Sequence, residues 1–408
     1  MRTIILTNWM LAGRSGMELY IRDLALGLKE RGWRPVIFSL HTGALADELR
    51  AAGVPVVTRM QELPQDAALV HGHHNFMTVM ALLACSRARG LFVSHASLFW
   101  QEEPPAFPRI VAWVGVDDPC RERIAADLRM PLQEVRFIGN SVDLARFQPR
   151  APLPQKPQRA LLFSNYAAEH TFLPVVRDAC RQAGLELDVI GSGVLHQVAD
   201  PERVLGNYDV VFAKARCAME ALATGCATVL CGPEGVGPLV TRANFDRLRR
   251  DNFGRRCLVL PMSVESLVAG VRNYDAEDGA DTMRHARVEL DLARALDQWI
   301  ALYEELLARP ALVSDAADEA RAAAGMIGKM AAPLFRLFEL EDANRFLQVQ
   351  AATASAEAAQ ALELEREVER LRSALECARA GERWSSADAS AKPKGLLARL
   401  WRSLGSRR

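Results

Sequence analysis

The sequence predicts an α/β protein of two successive domains followed by a helical extension. Three observations predict it. Short apolar runs alternate with amphipathic stretches from Thr3 to about residue 285, the alternation that builds parallel sheets flanked by helices. Four prolines, Pro149, Pro152, Pro154 and Pro157, interrupt this pattern once and read as a linker. Beyond Pro310 the composition shifts to Ala, Glu and Arg. At 408 residues the chain is too long for one ordinary core. The expected divisions are 1–150, 151–285, a long closing helix over 286–310, and an extension over 311–408.

In the first domain, buried-strand patterns fall at 3–7, 35–40, 54–58, 68–71, 90–94, 110–116 and 135–138. Helical patterns lie between them, at 17–31, 44–52, 77–89 and 120–128. Gly32 follows the first helix, where a glycine ends one well. The second domain repeats the alternation, with strands at 160–163, 186–190, 210–213 and 227–230 and helices at 172–183 and 217–223. Residues 288–307 read as one amphipathic helix carrying Trp299 and Tyr303. In the extension, Leu364, Val368, Leu371 and Leu375 are spaced alternately by four and three, and Ala361 and Ala354 prolong the seam past Glu357. This short heptad pattern predicts a coiled-coil or bundle helix and a homo-oligomer through 354–378. The last segment sets Lys392, Lys394, Arg399, Arg402, Arg407 and Arg408 among leucines and Trp401, without an acid. Such a basic amphipathic end can rest on an anionic membrane surface.

Composition narrows the function classes. Lys+Arg and Asp+Glu both total 50, which argues against wholesale nucleic-acid binding. The eight cysteines are scattered without a CxxC pair, as in a reduced, cytoplasmic protein. The start Met1-Arg2-Thr3-Ile4-Ile5-Leu6 turns polar too soon for a secretory signal. No apolar run reaches the roughly 18 residues of a membrane-spanning helix.

Candidate site residues follow from position in the alternation, because ligands of α/β sheets bind beyond the carboxyl ends of the strands. Gly16 opens the first helix, where backbone N–H groups can approach a phosphate or an acceptor. The spacing there is not GxGxxG, which disfavours NAD. Glu18, in the first helical turn, is either a cap or a ligand. Lys214 follows a strand of the second domain and Arg216 lies two residues on; both are candidates for phosphate contact. Glu220, on the helix that follows, can accept the two hydroxyls of a ribose. His95 ends an apolar strand and is a candidate for sugar contact or acid–base work. His71, His73 and His74 cluster without carboxylate partners, which disfavours a metal. Gly235 and Gly237 offer close backbone approach to a ligand, and Asn140 ends a strand at the domain junction.

Five segments together resemble the GT-B glycosyltransferases of the large retaining family (family 4-like, group 1). Gly13-Arg14-Ser15-Gly16-Met17-Glu18 resembles its first loop, and Val70-His71-Gly72-His73-His74 its His-x-His segment. Phe92-Val93-Ser94-His95 is similar to its strand ending in histidine, and the run from Gly139 to Phe147 to its Asn-Gly-Val-Asp-x-x-x-Phe segment. The run from Met219 to Val229 resembles Glu-Ala-Met-Ala-Cys-Gly-x-Pro-Val. The resemblance covers residues 1 to about 260. It implies two facing Rossmann-like domains, a nucleotide-sugar donor (a UDP- or GDP-sugar) as substrate with no further cofactor required, and a glycan or lipid-linked acceptor, in bacterial surface-polysaccharide assembly. Position and resemblance together place the donor at Gly16, Lys214, Arg216, Glu220, Gly235 and Gly237, the acceptor at His73 and Asn140, and catalysis at His95 and Glu220. The chain departs from the pattern in two places. An Arg-Lys pair that holds the donor diphosphate is replaced by Phe163-Ser164-Asn165-Tyr166, and Phe212 stands where the family has a second glutamate. A non-catalytic nucleotide-sugar-binding or scaffold protein, and a sugar-nucleotide epimerase, are the competing readings on the same fold.

Overall fold

The computed structural model describes residues 2–310 and 314–379, with side chains through Ser373. The basic tail over 392–408 lies outside them, as does the side chain of Leu375.

The main sheet of the first half has seven parallel strands: β1 (Thr3–Thr7), β2 (Arg34–Phe38), β3 (Val56–Val57), β4 (Leu69–Gly72), β5 (Arg89–Ser94), β6 (Ile110–Gly115) and β7 (Arg136–Phe137). Their order is β3-β2-β1-β4-β5-β6-β7. The crossover helices are α1 (Gly16–Glu30), α2 (Ala44–Ala51), α3 (Asn75–Ala84) and α4 (Asp118–Leu128). Strand order reverses between β1 and β4, so the crevice opens beyond the ends of β1 and β4. β1 is buried along its whole length, which is why it reads as a continuous apolar run and not as an alternating one.

The second half holds β8 (Arg159–Phe163), β9 (Glu186–Ile190), β10 (Val210–Ala213), β11 (Ala227–Gly232) and β12 (Gly235–Leu239), in the order β9-β8-β10-β11-β12. Its helices are α5 (Leu173–Ala183), α6 (Ala215–Thr224), α7 (Phe245–Arg250), α8 (Val264–Arg272) and α9 (Ala276–Glu289). β12 runs antiparallel to β11. The sequence suggested only a glycine turn there.

The single helix expected over 288–307 is two helices, α9 and α10 (Leu292–Ala308). Between them Leu290 accepts from the Val142 N–H at 2.7 Å and Leu292 donates back to Val142 at 3.0 Å. The Asp291 carboxylate then caps α10. This break returns the chain to the first half. Leu296, Trp299, Leu302, Tyr303 and Leu306 of α10 join the core of the first sheet, beside Ile21, Leu24 and Leu28 of α1.

α11 (Ala316–Arg379) leaves a first compact unit, Met1–Ile327, and forms the described part of a second, Gly328–Arg408. That described part is helical, contains Pro333 and exposes Phe335, Phe338, Phe346 and Leu347. No described helix is long and apolar enough to cross a membrane.

Candidate functional site

A cavity of 370 Å³ lies between the start of α1 and the carboxyl edge of the second sheet. That volume suits a small-molecule ligand. Gly13, Gly16 and Leu19 contribute from the first half, and Phe163, Ile190 and Val198 give it an apolar side. Glu220 and four arginines, Arg14, Arg22, Arg146 and Arg216, line it as well.

The local sequence shapes the α1 side. Ser15 and Glu18 form a capping box. The Glu18 carboxylate accepts from the N–H groups of Ala12 at 2.7 Å, Gly13 at 2.6 Å and Ser15 at 2.8 Å. Of the two roles open to Glu18, the structure gives it the cap: it folds the turn around itself, with both oxygens engaged by backbone N–H groups. The N–H groups of Gly16 and Met17 start the helix and have no preceding carbonyl to bond. A methyl group on Gly16 would sit 3.9 Å from Cβ of Arg216, so this helix end faces the second half directly.

On the opposite side, Lys214 follows β10, and Ala215 adopts φ +50°. A left-handed alanine costs about 1–3 kcal/mol and persists where the surroundings impose it, often at functional sites. Here its N–H is held by the Phe253 carbonyl at 2.8 Å. The turn delivers Arg216 into the cavity. Its Nη2 bonds Asp23 of α1 at 2.6 Å and its Nε bonds Glu220 at 2.7 Å. Arg22 also grips Asp23, at 2.7 and 2.9 Å. Arg22, Asp23, Arg216 and Glu220 therefore form one ionic chain across the two halves, its carboxylates buried and its arginines nearly so. Burial alone would lower the Arg216 pKa, but the two carboxylates reverse this and raise it. Burial raises the Glu220 carboxyl, with Arg216 opposing the shift. Arg146 is paired bidentately with Glu202 at 2.9 Å, and Arg14 with Glu48.

The remaining candidates lie elsewhere. Lys214 is bound at 2.6 and 2.7 Å to Glu234 and lies over the Tyr166 ring. It does not line the cavity. Gly235 and Gly237 belong to β12. A Cβ on Gly235 would meet the Leu260 carbonyl at 2.4 Å, and one on Gly237 the Cys257 carbonyl at 2.6 Å. These glycines admit a neighbouring backbone, not a ligand. Asn140 uses its carbonyl to accept from Arg249 at 2.5 Å and lines neither this cavity nor the one beside it.

The histidines form a separate group. His71 and His73 are fully buried, with ring centroids 4.6 Å apart, and His73 lies 4.9 Å from His95. His71 Nδ1 meets the Tyr303 hydroxyl at 2.5 Å, and His95 packs on Tyr20 at 4.6 Å. Burial drives His71 and His73 well below the ordinary histidine range and His95 to about 3. Neither His73 nor His95 lines either cavity. Among the described residues no group of three or more His, Cys, Asp or Glu is arranged to hold a metal.

The position arguments thus brought Gly16, Arg216 and Glu220 together and missed Arg14, Arg22 and Arg146. The signal for Arg22 was present: Gly16, Leu19 and Arg22 are spaced by three and share one helix face. Arg146 sits inside the segment ending at Phe147.

No family model matches the chain, and no curated protein matches it in sequence. Solved structures do. A glycosyltransferase from Rickettsia africae superposes with a TM-score of 0.56 at 14% identity, covering 76% of this chain and 99% of that one. Anabaena HepE in complex with UDP gives 0.57 at 13% identity, over 75% of this chain and 100% of that one. Sucrose-phosphate synthase from Thermosynechococcus elongatus gives 0.52 at 14%, over 76% and 100%. The chain has the GT-B fold: α/β, two facing Rossmann-like halves, with a helical extension at its C-terminal side.

Proposed function

We propose that this protein is a glycosyltransferase that moves a sugar from a nucleotide-sugar donor to a glycan or lipid-linked acceptor. The observation that carries the reading is the arginine-lined cavity between the two halves, with Glu220 buried in its wall. HepE, of like fold, was crystallised with UDP and with UDP-glucose. A donor diphosphate is the leaving group, and preorganised cations lower the barrier to its departure. Arg216, Arg146 and Arg22 supply those cations, and the open N–H group at Gly16 adds a donor. They stand in for the Arg-Lys pair that this sequence lacks.

In this mechanism the nucleoside occupies the side formed by Ile190, Val198 and Phe163, with Glu220 accepting the ribose hydroxyls. The bond between the anomeric carbon and the diphosphate breaks, and an acceptor oxygen takes its place. The acceptor proton leaves with the displaced nucleoside diphosphate or to water. No resident cofactor enters this scheme. The finer assignment, bacterial surface-polysaccharide assembly, rests on the resemblance of the motifs. Exposed Leu364, Val368 and Leu371 on α11 support self-association through 354–378. Membrane contact is assigned to the basic tail beyond the described residues.

Release of nucleoside diphosphate from a panel of UDP- and GDP-sugars tests the reading. The wild-type protein turns over at least one donor, and an Arg216→Ala, Glu220→Ala double variant does not. Wild-type turnover in that variant refutes the site. Tight donor binding without any turnover moves the protein to the non-catalytic binding class.

A further inference from the structure

A second cavity, of 330 Å³, lies on the other side of the same turn. Gly13 and Gly16 face the arginine-lined cavity, whereas Ser15, Met17 and Glu18 line this one. Its wall carries Trp9 and Trp100, both partly exposed. The two indoles are 6.2 Å apart at 76°, and Phe76 supports both, at 4.7 Å from Trp9 and 6.1 Å from Trp100. Their backbones are pinned too. The Trp9 N–H bonds His74 Nδ1 at 3.2 Å, and Asn75 Nδ2 holds the Trp100 carbonyl at 2.8 Å. His74 sits at φ +61°, ψ +131°, a costly conformation for a side-chain-bearing residue, at the wall of this cavity.

The polar lining is equally specific. Asn8 is 1% exposed and donates from Nδ2 to Met10 at 2.7 Å, while its Oδ1 has no hydrogen-bond partner among the described residues. A buried acceptor left unpaired is costly and points to a missing donor. Gln101 and Ser15 add further amide and hydroxyl groups. Charge is nearly absent. Glu18 is spent on three backbone N–H groups, and burial lowers His74 to about 4, so that it is neutral near pH 7. A phosphate finds no cation here. A lipid chain would leave Asn8 and Gln101 unsatisfied. Fixed aromatic faces beside amides suit a neutral ring with an apolar C–H face and hydroxyl edges.

We infer that this cavity binds a pyranose, the terminal sugar of the acceptor. The assignment to the acceptor rests on the transferase reading and replaces His73 and Asn140, neither of which lines the cavity.

Saturation-transfer NMR with the α and β methyl glycosides of glucose, galactose and mannose tests it on the full chain. At least one glycoside receives saturation from the wild-type protein. Trp9→Ala and Trp100→Ala raise its Kd about tenfold or more, as loss of a buried aromatic contact requires, while Glu220→Ala leaves the signal. No transfer to any glycoside overturns the inference, and so does an unchanged signal in both tryptophan variants. If those variants do not fold, Gln101→Arg, at a partly exposed wall position, must abolish the signal; an unchanged signal overturns the inference. Melting shifts with UDP and with GDP on the same wild-type sample separate the two readings. A shift with either nucleotide without a sugar signal rejects the acceptor site and leaves the transferase standing. A sugar signal without a shift from either rejects the transferase and leaves a carbohydrate-binding site.

Discussion

The two sheets present opposite chemistries at their carboxyl edges. At that of the first sheet lie His71 and His73, fully buried, and His95, largely so, all neutral and packed on Tyr20, Trp299 and Tyr303. At that of the second lies Arg216, largely withdrawn from water yet charged, because Asp23 and Glu220 meet it. The difference is partnership. An ionisable group out of water keeps its charge only against a counter-charge and otherwise gives it up. Position at a strand end therefore does not make His95 catalytic. What makes Arg216 the stronger candidate is that its charge survives beside an open cavity.

Breaking the charged edge carries the largest expected effect. Arg216→Ala leaves Asp23 and Glu220 buried with one partner fewer, which costs about 3–5 kcal/mol of stability, read by denaturant unfolding. The same variant loses donor affinity by about a hundredfold or more. Glu220→Gln keeps the shape and removes the charge. It costs about 1–3 kcal/mol and weakens UDP binding about tenfold in titration calorimetry; undiminished binding would remove Glu220 from the nucleoside.

The neutral edge predicts an acid response instead. The unfolded chain holds its histidines near 6.5, whereas the folded protein holds His95 at about 3, His74 at about 4, and His71 and His73 well below the ordinary value. Below pH 6.5 the unfolded chain thus takes up more protons, and stability falls as pH drops, by about 1.4 kcal/mol per unit for each such histidine. Glu102 acts in the opposite sense. Burial raises it to about 7, so between about 4.5 and 7 it favours folding as pH drops and offsets one histidine. Urea midpoints from pH 7 to pH 4 should fall steeply, and less steeply in His73→Leu. A flat profile would mean that the imidazoles are hydrated. The smallest effect is on activity: His95→Phe should keep donor turnover within about threefold, whereas a catalytic histidine would lose orders of magnitude.

Much of this arrangement can be read from the sequence. The strand–helix alternation locates Gly16, Arg216 and Glu220 because each lies on the helix that follows a buried strand, and local spacing is enough for that. Ser15 and Glu18 likewise announce their capping box. The rest depends on contacts far apart in the chain. His71 is buried by Tyr303, 232 residues away, after the break at Leu290 and Asp291 returns α10 to the first sheet. Whether a cation is free or engaged is decided in the same way: Lys214 finds Glu234, and Arg146 finds Glu202. Gly235 and Gly237 read in sequence as a close backbone approach to a ligand. They are strand residues because the backbone over 257–260 runs against them.

The central claim is that the arginine-lined cavity binds a nucleotide sugar, and melting of the purified protein against a panel of UDP- and GDP-sugars tests it most directly. A ligand at a hundredfold excess over its Kd adds about 2.7 kcal/mol to stability, several degrees in Tm. The account predicts such a shift with at least one sugar nucleotide, absent in Glu220→Ala. No shift with any of them, or one of equal size in that variant, would contradict it.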